Sequence, residues 1–136
     1  MTAFIYLANS SNLDVPVPGA PTLSLDSSPE YWFLYRYFES ANLDRSDELI
    51  DLYGGGVIEG YQLHRLRTEL ELARSDVESK PDTWSVLVGW DGEVASIETE
   101  DWRSVEKITV YAIIQTLLKM IQYSETNSVR LVTSGD

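Results

Sequence analysis

The side chains with the most chemistry to offer in this sequence are its carboxylates. Asp44, Asp47, Glu48 and Asp51 fall within eight residues. On a helix, Asp47 and Asp51 share one face at i, i+4, and Glu48 adjoins it. A second group comprises Asp91, Glu93, Glu98, Glu100, Asp101 and Glu106, with only Arg103 against it between 91 and 106. Clustered carboxylates suit three tasks. They can hold a hard cation through oxygen ligands, work as an acid–base pair across a cleft, or dock basic side chains. The EF-hand spacing does not occur here. A catalytic pair needs a fixed separation, which spacing along the chain does not supply. Docking needs neither condition, and a plain solvated face is the structural alternative. Asp101 and Glu106 also have a structural use, as cap or dipole partners of a following helix. Glu98 and Glu100 have none.

Other reactive groups are few. The chain has no cysteine, which excludes thiol nucleophiles, disulfides and thiolate metal sites. Its single histidine, His64, joins Arg67, Glu71 and Arg74 on the polar face of a predicted helix and reads as a solvated or salt-bridged group. Gly54-Gly55-Gly56 resembles a phosphate-cradling loop only in composition. No Walker lysine follows, and the neighbouring acids would repel phosphate. No catalytic constellation emerges, so the chain reads as a non-enzyme with no cofactor and no metal.

The densest local signal is aromatic. Six of the eight residues Tyr31-Trp32-Phe33-Leu34-Tyr35-Arg36-Tyr37-Phe38 carry rings. One side of such a helix suffices for a core. The remainder packs elsewhere or meets a partner, since Tyr, Trp and Arg are enriched at binding hot spots. Tyr53, beside the glycine run and the first acidic group, is a similar candidate. The expected partner-binding set is therefore Asp44, Asp47, Glu48, Asp51, Tyr53, Glu93, Glu98, Glu100 and Asp101.

The whole chain supports a charged-docking reading. Its 136 residues carry 22 acidic and 10 basic side chains, a formal net charge of −12. Nucleic acid and anionic membranes are disfavoured as partners, because both are bound through Lys and Arg. A basic protein is favoured, since complementary charge accelerates encounter. The N-terminus lacks the pattern of a signal peptide, and the apolar stretch Val110 to Ile121 is too short and too polar to span a membrane. The expected location is the cytoplasm, and a homo-oligomer is compatible with the composition.

These residues must be positioned by a single globular domain over 1–136. Residues 3–8 read as a strand, and 9–21, with three of the chain's prolines, as an extended excursion with few ladder bonds. Residues 22–25 read as a returning strand. Ser27 or Ser28 caps a helix that has Pro29 in its first turn and runs to Ala41. Ser46 caps a short helix that the glycine run ends. Leu63, Leu66, Leu70, Ala73 and Val77 form the stripe of a third helix, which stops near Ser79 because of Pro81. Asp91-Gly92 predicts a hairpin over 83–98 that pairs Val86 with Ile97 and Val88 with Ala95. A last helix is expected from Val105 to Tyr123, capped by Ser104 or Asp101, followed by a strand at 129–132. The fold class is α+β, with helices packed on a small, mostly antiparallel sheet.

A short acidic chain with carboxylate clusters, interleaved tyrosines and no catalytic constellation resembles the immunity proteins of bacterial polymorphic-toxin and contact-dependent growth-inhibition systems. The stretch Asp51-Leu-Tyr-Gly-Gly-Gly-Val-Ile-Glu59, the leucine-striped helix and Trp84-Ser-Val-Leu-Val-Gly-Trp90 carry the likeness. The resemblance implies a mechanism and no particular residues. An immunity protein binds a cognate toxin domain, often a basic nuclease, and covers or distorts its active site. The alternative is an acidic secretion chaperone that holds an extended effector segment. Such chaperones usually open with a helix, whereas this chain opens with an apparent strand.

Overall fold

A computed structural model of the chain describes residues 2–42, 50, 55–90 and 100–135, without the side chains of 88–90, 100 and 101. Ten elements follow in order: β1 (Thr2–Asn9), β2 (Asn12–Pro16), β3 (Leu23–Asp26), α1 (Pro29–Ala41), β4 (Gly56–Ile58), α2 (Tyr61–Glu78), β5 (Thr83–Trp90), β6 (Glu100–Glu106), α3 (Lys107–Asn127) and β7 (Arg130–Gly135). They form an α+β domain of three helices and two antiparallel sheets.

The larger sheet is organised around β1. Strand β7 takes one edge of β1 along residues 3–8. The other edge is shared end to end, by β3 opposite residues 2–5 and by β2 opposite residues 8 and 9. Strand β4 pairs with the far side of β7. Alternation decides the faces. Ala3, Ile5 and Leu7 enter the main core with all three helices, while Tyr6, Ala8 and Val132 form a small second cluster with Leu13. The Tyr6 hydroxyl donates to the Leu13 carbonyl at 2.7 Å, which pins β2 to this second face. The expected excursion over 9–21 is therefore corrected. A turn at Ser10-Ser11 lets β2 fold back, and Pro16 ends it at the outer edge, where a missing N–H costs no ladder bond.

The helices follow their local signals closely. Ser28 is the N-cap of α1 and accepts from the Tyr31 amide at 3.3 Å, while Ser27 instead accepts from Trp32 Nε1 at 3.2 Å. The stripe of α2 is buried at all five expected positions. That helix ends on a cation from elsewhere. Lys107 Nζ donates to the carbonyls of Glu78 at 3.2 Å and Lys80 at 2.9 Å, which satisfies the last carbonyl of the helix and complements the negative end of the dipole.

Two expectations change. Strand β5 pairs antiparallel with β6, so Val86 faces Arg103, not Ile97, and Trp84 faces Val105. Fully buried Val105 places this ribbon's inner face on the core. Ser104 and Asp101 consequently lie in β6, before the helix begins. The N-cap of α3 is Glu106, which makes no side-chain cap bond. The short helix expected after Ser46 lies outside the described residues.

Candidate functional site

Helix α1, the turn after α2 and strand β5 enclose a cleft of about 280 Å³, at the small end of ligand sites and suited to one or two side chains. Trp32, Phe33 and Arg36 line it from one face of α1. Lys80 lines it from the turn, Trp84, Ser85, Val86 and Leu87 from β5, and Trp102 from β6. The i, i+1, i+4 spacing of the three α1 residues brings them together, while Tyr31, Leu34 and Phe38 are buried in the core and Tyr35 and Tyr37 are partly buried against it.

Ring contacts fix the walls. Phe33 meets Trp84 edge to face at 5.1 Å between centroids, a favoured aromatic geometry. The Arg36 guanidinium lies 5.4 Å from the Phe33 ring and 4.9 Å from the Tyr37 ring. The Lys80 ammonium lies 5.8 Å from the Trp84 ring. Both are cation–π distances. Trp102 is 60% exposed at the rim. Trp84 Nε1 is buried without a hydrogen-bond partner.

The two cations differ. Arg36 Nη2 is committed to Asp76 Oδ2 at 2.7 Å and to the Tyr37 hydroxyl at 3.0 Å, and that hydroxyl donates to Asp76 at 2.5 Å. Among the described residues, no carboxylate pairs with Lys80. Burial, with the Asp76 hydrogen bond second, pushes the Tyr37 phenol up to about 12 against the opposing pull of Arg36. The stability held by this protonated phenol is complete below the ordinary range near 10 and is lost as pH rises through about 12. Tyr37→Phe should therefore flatten the alkaline loss. Urea melts of both chains at about pH 9 and 11.5 should show wild type losing about 1 kcal/mol more than the variant, after discounting for solvent screening. Equal losses would refute the assignment.

A second, polar groove runs between α2 and α3, and most of its charges are paired with each other. Arg67 forks onto Glu125 and Arg74 pairs with Glu71. The Arg67 hydrogen bond holds the Glu125 carboxyl below its usual range. His64 is exposed on this polar face of α2, as its spacing implied.

Of the nine residues expected to bind a partner, Asp44, Asp47, Glu48, Asp51, Tyr53, Glu93 and Glu98 lie outside the described residues. Glu100 and Asp101 open β6, where Glu100 pairs with Trp90. Among the described residues, no three acidic or histidine side chains are grouped to hold a metal ion. The cleft draws on residues the acid-led reading passed over. Trp84 lies in the stretch expected to form a hairpin strand, and Lys80 directly precedes the proline that ends the third helix. Their joint signal was a lone lysine four residues before a tryptophan at the start of a strand.

No protein-family model, no curated protein and no solved structure matches this chain. No helix among the described residues is long and apolar enough to cross a membrane.

Proposed function

We propose that this chain is a protein-binding module without catalytic activity, and that it neutralises a basic toxin domain in the cytoplasm, as immunity proteins do. The observation that carries this reading is an open aromatic cleft, rimmed by an exposed tryptophan, on a chain of net charge −12. The two features divide the work of recognition. Aromatic anchors in a small, partly desolvated cleft supply affinity, and the net negative charge of the chain speeds encounter with a basic partner. A basic nuclease surface is a natural target, because an acidic protein can occupy the place of nucleic acid on it.

The test is to tag the chain at its own locus, purify at low salt and identify what accompanies it by mass spectrometry. A stoichiometric basic domain from the C-terminal end of a large secreted protein supports the reading and supplies the toxin for a protection assay. Reversing Glu98 and Glu100 to Lys should then slow association by about tenfold, with little change in dissociation. Unchanged association kinetics would remove that patch from the interface. The alternative, a secretion chaperone, is favoured by one feature, a cleft lying along a strand. It predicts recovery of an effector's N-terminal segment and a weaker dependence on salt. Recovery of no partner at all would refute both readings.

A further inference from the structure

The cleft is bounded by Trp84, Ser85, Val86 and Leu87, four consecutive residues of β5. Consecutive strand residues point to opposite faces, so a cavity lined by all four, and by Trp102 of β6, reaches round the strand rather than lying over one face alone. The edge of β5 away from β6 has no strand paired to it among the described residues. Strands β5 and β6 form a two-stranded ribbon, and among the described residues nothing outside the ribbon hydrogen-bonds to the backbone of 84–87. Open edges are usually blunted by charge, proline or a covering element. Residues 84–87 contain neither proline nor charge.

We propose that this edge receives an extended segment of the partner protein as a third strand. Main-chain hydrogen bonds to β5 would hold the segment, an apolar side chain would enter the cleft between Phe33, Trp84 and Trp102, and a carboxylate would sit against Lys80. This deepens the protein-binding reading and rests on it. Strand addition draws affinity from the backbone and specificity from pockets for alternate side chains, and the cleft provides such a pocket. The carboxylate follows from charge complementarity. Lys80 brings an ammonium to the groove with no acidic partner among the described residues, whereas Arg36 beside it is neutralised by Asp76. Lys80 is also pre-placed, its carbonyl held by Lys107 Nζ and its head resting on the Trp84 ring. The indole N–H of Trp84 is a further donor without an acceptor. A second copy of the chain is the alternative occupant, and concentration dependence distinguishes it.

The test needs no natural partner. A capped peptide of about six residues, alternating glutamate and valine, is titrated to millimolar concentration into the ¹⁵N-labelled full chain. The expected result is chemical-shift change at the amides of 84–87 and the indoles of Trp84 and Trp102, with several-fold slower hydrogen exchange at the outward amides. Lys80→Glu should abolish the response, Lys80→Arg should keep it, and a peptide alternating lysine and valine should give none. Shifts elsewhere, no shifts, or equal responses from Lys80→Glu would overturn the proposal. So would the same shifts appearing with protein concentration alone, which would make a second copy the occupant. The two readings fail separately. A recovered partner that leaves 84–87 unperturbed ends the strand-addition proposal and keeps protein binding. A peptide seated on β5 with no partner recovered from the cell keeps the groove and ends the toxin reading.

Discussion

Phe33→Ala should destabilise the fold by about 3–5 kcal/mol, a large part of the total stability of about 5–15 kcal/mol that an ordinary domain has. Phe33 is only 5% exposed, although it sits at the wall of the cleft. It joins α1 to the β5–β6 ribbon through Trp84, 5.1 Å away, and it carries the Arg36 guanidinium on its face. Truncation removes the ring's apolar burial and leaves a void between two elements that touch through few other rings. The edge-to-face pair contributes about 0.5–1.5 kcal/mol more. Urea denaturation gives the magnitude, and near-ultraviolet circular dichroism reports the packing of the tryptophans, Trp84 among them. Phe33→Leu keeps most of the volume and should cost under about 1.5 kcal/mol, so it tests the cleft in a chain that still folds. A Phe33→Ala chain within about 1 kcal/mol of wild type would show that the ribbon is held to α1 by other means.

The contrast between Phe33 and Lys80 shows where the sequence was legible. The Ser28-Pro29 start of α1, the leucine stripe of α2 and the strand at 3–8 are local patterns, written in neighbouring residues, and each appears in the fold. The aromatic run was legible as a helix with more rings than a core needs. Which of those rings would form a wall was not, because that depends on β5 arriving beside α1 from some fifty residues away in sequence. The register of the ribbon was misread for a related reason. Asp91-Gly92 is a strong turn signal, but register follows what the core can bury. Opposite Trp84, the core takes Val105, which is fully enclosed. Lys80 and the open edge of β5 carry no sequence motif at all. An edge is defined by the absence of a neighbour, and only the folded topology shows it.

Gly55→Ala should cost about 1–3 kcal/mol, and the reason differs from the one its sequence suggests. A glycine run after a predicted helix reads as a left-handed helix end. Gly55 needs no such conformation, since the positive-φ glycines among the described residues are Gly19 and Gly60. It is constrained by space. A Cβ on Gly55 would stand 2.7 Å from the Thr133 carbonyl oxygen and 3.4 Å from the Ser134 Cα. Both obstacles are backbone, so no rotamer change relieves the clash, and β4 must move away from β7. That strand has three residues, each paired in register with β7, and its last, Ile58, is fully buried. Any shift large enough to admit a methyl group therefore strains the ladder and withdraws Ile58 from the core together. At about 4 °C per kcal/mol for a chain of this size, calorimetry should find the melting temperature lowered by about 4–12 °C. A melting temperature within about 1 °C of wild type would mean that β4 has room to yield, and that the close approach to Thr133 is not what demands glycine at this position.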